Sequence, residues 1–160
     1  MRIITFFSVL FVVFGSSFGP KITDKQAFYK VLAAGSEENI EKEISRLSEE
    51  KKTSFTNAYL GSLYMKKAGF LKGAANKVKT FKKGAQMLEK EINDNPAIVE
   101  YRFLRLTIQE NAPKILKYNK ELSADKKIIE DGYERLEPDL KKVIKDYATG
   151  SKVINVGDLK

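Results

Sequence analysis

The 160-residue chain has no cysteine, no histidine and no tryptophan. Without cysteine there are no disulfides, no thiolate nucleophile, no thiolate zinc site and no iron–sulfur cluster. A lipid-modified cysteine at the head of a processed chain is excluded for the same reason. The missing histidine removes the commonest metal ligand and the usual general base near neutral pH. Asp-rich calcium loops, Gly-rich phosphate loops and a nucleophile elbow are absent too. Only carboxylate, lysine, tyrosine and serine chemistry is left, and neither a cofactor nor a metal is expected. A chain of this length forms one domain and buries roughly two thirds of its unfolded surface, enough for a core without covalent staples.

Long apolar runs are confined to the start. Arg2 is followed by an apolar stretch from Ile3 to Phe14, interrupted only by Thr5 and Ser8, and then by the small residues Gly15, Ser16 and Ser17. Spanning a bilayer takes about 20 apolar residues, so this run is short for an anchor. It has the charge, core and small-residue order of a secretory signal. Residues 1–19 are therefore expected to be a signal peptide, cleaved near Ser17 or Gly19, and the protein to be exported to the periplasm or the medium.

Past the leader, helical punctuation recurs. Thr23 with Gln26 has capping-box spacing before a helix with Phe28, Val31 and Leu32 inward and Gly35 at its end. Ser36 is placed to cap a second helix through Ile40, Ile44 and Leu47. A third is expected over Ser54 to Lys67, with Gly69 as its stop and Phe70 folding back onto it. Ala75, Val78, Phe81, Ala85, Leu88 and Ile92 then repeat at alternating threes and fours, the strongest helical signal in the chain. Asn95 and Pro96 read as cap and first-turn proline of the next helix. Tyr101 to Ile108 alternates as a strand would, although its length, entry and neighbours favour a mostly buried helix. Pro113 breaks the chain before a short turn at Ile115, Leu116 and Tyr118. Ser123 is placed to cap a helix through Ile128, Ile129, Tyr133 and Leu136, and Pro138 opens a last one with Leu140, Val143, Ile144 and Tyr147 inward. The expected fold is all-α, with about six to eight helices in antiparallel hairpins. They form either a short solenoid or an irregular bundle over residues 21–150, with 151–160 a loosely ordered tail.

Leu60-Gly61-Ser62-Leu63-Tyr64 resembles the Leu-Gly-x-x-Tyr stretch of a tetratricopeptide first helix, and Pro96 sits where such a unit closes. The glycine there lets the two helices of a hairpin approach closely. The resemblance covers about 40 residues. It departs from the pattern at Asn57, where tryptophan is preferred, and in the long connection carrying Gly69 and Gly73, and no second copy follows. More loosely, the chain is similar to the small, functionally unassigned helical proteins that bacteria export. Resemblance of this kind implies a protein-binding scaffold and assigns no residue a role.

Charge is unevenly spread. Between Lys51 and Leu88 there is no acidic residue and there are nine lysines, while Ser36 to Glu50 holds six glutamates against Lys42 and Arg46. Lysines one turn apart, as at Lys79 and Lys83, and near a helix N-terminus each cost a few tenths of a kcal/mol. Three readings are open: the acidic second helix balances the cluster, solvent does, or an anionic partner does. The third makes Lys66, Lys67, Lys72, Lys77, Lys79, Lys82 and Lys83 candidate anion-binding residues, facing a membrane surface or an acidic polymer. Nucleic acid fits poorly, given the compartment and the lack of arginine-based readers.

Tyr64, Tyr101, Arg102 and Arg105 are a second candidate set. Arg102 and Arg105 share a helix face that would grip a peptide carboxylate if it lined a groove between the third and fifth helices. Alternatively, both bury their stems and pair with nearby acids. The carboxylates of Glu37, Glu38, Glu41, Glu49 and Glu50, like Glu130 and Asp131, lie on polar faces with nothing to raise a pKa, so glycosidase-type chemistry is not expected. The chain is read as a non-enzymatic, exported binding protein. Its expected partner is an envelope or secreted protein held in the groove, or alternatively an anionic membrane surface or polymer met by the lysines.

Overall fold

The computed structural model describes residues 25–160, so the signal peptide expected over 1–19 and the cap expected at Thr23 lie outside the described residues. Seven α-helices follow in order: α1 Lys25–Ala34, α2 Glu37–Glu49, α3 Ser54–Lys67, α4 Ala74–Asp94, α5 Val99–Asn111, α6 Leu122–Gly132 and α7 Pro138–Ala148. Short 3-10 turns stand at Lys114–Leu116, Tyr133–Arg135 and Val156–Asp158, and no strand occurs among the described residues.

Local chemistry explains most boundaries. The Ser36 side chain accepts the Asn39 N–H at 3.3 Å and so caps α2, whose first turn adds Glu37 and Glu38 where the helix dipole favours acids. Thr53 and Thr56 cap α3 reciprocally, with Thr53 accepting the Thr56 N–H at 3.1 Å and its own N–H donating to Thr56 Oγ1 at 2.7 Å. Pro138 occupies the first turn of α7, where its missing N–H costs nothing.

Two expected starts fall elsewhere. Asn95 closes α4: its N–H reaches Glu91 O at 3.0 Å, and its amide donates to Ser54 Oγ at 2.9 Å and to Glu91 O at 3.2 Å. Its polar side chain therefore ends one helix and ties it to α3, and α5 starts at Val99 with no side-chain cap. Likewise α6 begins at Leu122, one residue before Ser123, with Glu121 O accepting the Asp125 N–H.

Helix α5 is the axis of the molecule. Tyr101, Phe103, Leu104, Arg105, Leu106 and Ile108 are all buried, so a helix that is apolar on nearly every side mimics the alternation of a strand. It packs on α3, α4 and α6, and Phe103 meets the rings of Tyr29 in α1 and Tyr147 in α7 at 5.3 and 5.4 Å. The tightest hairpin is α3 with α4. Gly61 faces Gly84 and Leu88, and Gly84 faces Gly61 and Met65, so the two helices run antiparallel with their backbones almost touching. A Cβ on Gly61 would lie 2.8 Å from the Gly84 carbonyl oxygen, which leaves no room for any side chain. Finally, α1 packs against α7. An open stack, in which each unit touches only its neighbours, lacks such a contact between ends, so the helices close into an irregular bundle.

Three apolar expectations are corrected. Phe70 stays 39% exposed instead of folding back, because Gly69 and Phe70 continue the end of α3 as tight turns onto Lys66 and Lys67. In α4 the inward stripe begins at Phe81; Ala75 and Val78 are exposed, since the first two turns of this 21-residue helix run past the body. The C-terminal segment is docked. Glu110 accepts Tyr147 Oη at 2.5 Å, Ser151 Oγ at 2.7 Å and the Lys152 N–H at 2.5 Å, and Ile154 is fully buried.

Candidate functional site

The two candidate sets meet opposite fates. Arg105 is 5% exposed, and it forms a two-pronged bond to the fully buried Asp125, Nε to Oδ2 and Nη2 to Oδ1, both at 2.7 Å. Its third donor, Nη1, reaches Glu89 at 2.7 Å, and Glu89 also accepts Tyr118 Oη at 2.6 Å. Burial works against charge on both partners. On Arg105 the bonds to Asp125 and Glu89 outweigh it, and the guanidinium stays firmly protonated. Arg102 is half-buried with Nη1 3.8 Å from the same Asp125 carboxylate. Tyr101 is fully buried and donates to Ser54 Oγ at 2.8 Å; burial pushes its pKa up to about 12. The arginines and Tyr101 therefore do not line a groove: α3, α4 and α6 enclose their helix, and acids within the fold take up their charge. Tyr64, like Arg102, remains partly exposed, and lies under the ammonium of Lys83 at 3.9 Å from its ring centroid.

Two further buried carboxylates escape a reading based on apolar spacing. Glu100, on α5, accepts Lys25 Nζ at 2.8 Å and Tyr29 Oη at 3.4 Å, together with Tyr59 Oη. Burial, reinforced by the Glu100 charge, raises both tyrosine pKa values, so the phenols stay protonated and serve as donors. Glu91, on α4, accepts Ser54 Oγ at 2.6 Å and Asn57 Nδ2 at 3.0 Å. With Asp125 these acids clamp α1, α3, α4, α5 and α6 together. The only hint in the sequence is that each acid falls within an apolar helical stripe, where a solvated carboxylate has no place. Among the described residues no cluster of three or more acids is arranged to hold a metal ion.

The lysines have a different environment. Lys67 pairs with Glu41 at 2.5 Å, the one ion pair that joins the acidic α2 to the cluster; Glu43 and Glu50 turn instead to Arg46. Lys66 Nζ donates to Ala33 O at 3.0 Å, and Lys77 Nζ to Gly69 O at 3.2 Å. Lys72, Lys79 and Lys82 are exposed and have no carboxylate partner among the described residues. These three and Lys83 line a shallow cleft of about 670 Å³ along α4, together with Asn76 and Thr80. Gly73 heads α4 at φ 80° with no side-chain cap and no acid in the first turn, so the helix N-terminus and the lysines of its first half both add positive potential. Phe70 and Val78, close to these lysines in sequence, are 39% and 38% exposed.

The class these features define is an all-helical bundle of seven helices with, among the described residues, a set of unpartnered lysines along the first half of α4. In comparisons with known proteins, no family model, no curated protein and no solved structure matches the chain.

Proposed function

We propose that the protein is a non-enzymatic, exported binding protein that docks peripherally on an anionic lipid surface through the lysine-rich end of the α3–α4 hairpin. The observation that carries this reading is the cleft lined by Lys72, Lys79, Lys82 and Lys83, where among the described residues only the Lys83 ammonium has a partner, the Tyr64 ring. Internal charge balance would have placed the glutamates of α2 against it, and a single pair, Glu41 with Lys67, is formed. A lysine near an anionic bilayer contributes about 1 kcal/mol of attraction. Exposed Phe70 and Val78 between the lysines favour lipid over a soluble acidic polymer, because their rings and methyls gain from entering the headgroup layer. Among the described residues no helix is long and apolar enough to cross a membrane, which is consistent with contact at the surface.

A second reading, a scaffold that holds an envelope or secreted protein, draws on the close Gly61–Gly84 approach, the use to which a tetratricopeptide hairpin puts its glycine. It has less support, because Tyr101 and Arg105 are occupied inside the bundle.

Cosedimentation with vesicles separates the two. Binding to phosphatidylglycerol vesicles, absent with phosphatidylcholine and weakened between low and high salt, is the expected result. The combined Lys72→Glu, Lys79→Glu and Lys82→Glu variant keeps its melting temperature and binds more than about tenfold less. Unchanged affinity in that variant would discard the lysine face.

A further inference from the structure

The connection between α5 and α6 carries a side chain that the bundle does not use. Ile115 is 88% exposed, far beyond any other large apolar residue described, and it sits at the tip of the Lys114–Leu116 turn. The turn is built to hold it there. Leu116 N donates to Pro113 O at 2.9 Å and Lys117 N to Lys114 O at 3.0 Å, and Lys117 reverses the chain in the left-handed region at φ 49°. Leu116 and Tyr118, on either side, pack against the core. The Tyr118 ring meets Phe81 edge-on at 5.3 Å, and its hydroxyl reaches Glu89 at 2.6 Å. The loop is thereby fastened to α4 at Phe81, between the exposed Val78 and Lys82 of the lysine-bearing half.

We infer that this loop is a second lipid contact, in which Ile115 enters the apolar layer of an anionic bilayer while Lys114, Lys117 and Lys120 meet its headgroups. The inference rests on the lipid-docking reading above and names how that docking is anchored. Charge selects the occupant: Lys114, Lys117 and Lys120 are exposed and unpaired with any acid among the described residues. A protein partner would be met by a different composition, since lysine is depleted from the cores of protein interfaces, where aromatic residues and arginine are enriched. An exposed apolar tip with exposed lysines at positions 114, 117 and 120 is the composition of an interfacial anchor.

The chain has no tryptophan, so Ile115→Trp installs a single reporter at an exposed position where the fold is indifferent to it. The protein is expressed with its own leader, recovered after export and mixed with phosphatidylglycerol vesicles. The expected result is a blue shift of the indole emission and quenching by brominated acyl chains. Ile115→Asp, with an unchanged melting curve, should bind these vesicles about tenfold less. If Ile115→Trp cosediments with vesicles and its emission stays that of a hydrated indole, the anchor is wrong and the lysine face stands. A blue shift produced equally by soluble polyphosphate overturns insertion as well. If wild-type protein fails to cosediment at all, both the anchor and the lipid-docking reading fall.

Discussion

Arg105 and Asp125 illustrate how a charged side chain becomes internal structure. Two parallel N–H···O bonds at 2.7 Å and a third to Glu89 satisfy the guanidinium, while Asp125 sits with no exposed surface. Removing one partner strands the other in a dry site, at a cost of about 3–5 kcal/mol. Asp125→Ala should therefore lower stability by that amount in chemical denaturation, far more than a surface alanine would. Gly61 acts by absence. Alanine is a better helix former by about 1 kcal/mol, yet its methyl would stand 2.8 Å from a backbone carbonyl that cannot step aside. Gly61→Ala should destabilise by about 1–3 kcal/mol, the usual range for overpacking. A variant that melts at or above the wild-type temperature would show that α3 and α4 lie further apart.

At the scale of elements, the C-terminal segment hangs on Glu110. Burial raises the pKa of this acid, and the bonds from Tyr147, the Lys152 N–H and Ser151 outweigh it, so the net shift is downward from the ordinary 4.5. A folded value below the unfolded one means that the stabilisation is fully present above pH 4.5 and fades as pH falls through the folded pKa. Glu110→Gln should melt below wild type at neutral pH, and the two curves should converge as the pH falls through the folded pKa of Glu110. The absence of any gap at neutral pH would assign the docking to Ile154 alone.

Helix existence was legible in the sequence because it depends on local chemistry. Ser36, Pro138 and the spacing of Ile40, Ile44 and Leu47 act within one or two turns, and each does in the structure what its type does anywhere. Asn95 misleads as a start signal because its amide works across the hairpin, on Ser54, a partner that no local pattern contains. Ala75 and Val78 continue a perfect apolar period past the body of the protein, since periodicity states which face is apolar and not where the neighbouring helices end. Of the candidate sites, the unpartnered lysines were visible as a gap in acidic residues. The burial of Tyr101 and Arg105 was legible as one of two readings of a mostly buried helix; that Asp125 and Glu89 are the partners of Arg105 was not, because it follows from how α4, α5 and α6 pack. The same holds for Glu91 and Glu100, whose partners lie dozens of residues away.

As a whole molecule, the bundle divides its charges by function. Acids at Glu89, Glu91, Glu100 and Asp125 are spent on cohesion, and lysines from Lys72 to Lys83 are left at the outer end of one hairpin. The interior is closed by α7, which supplies Leu140, Val143 and Ile144 to the core and covers α1. A chain ending before Pro138 loses Leu140, Val143 and Ile144 from the core and the α7 contact that α1 makes in addition to α2 and α3. Such a truncation should lose cooperative melting and bind a hydrophobic dye while keeping part of its helical circular dichroism. A sharp transition in the truncated protein would mean that α1 finds its place without α7.

The pairing of first helix with last also has a consequence in time. Ribosomes deliver α1 long before α7, and Lys25 must wait for Glu137, 3.6 Å away in the finished molecule, to be synthesised. Until then the first helix lacks the cover that α7 gives it. Completion of the interior is thus deferred to the moment when the last turns emerge.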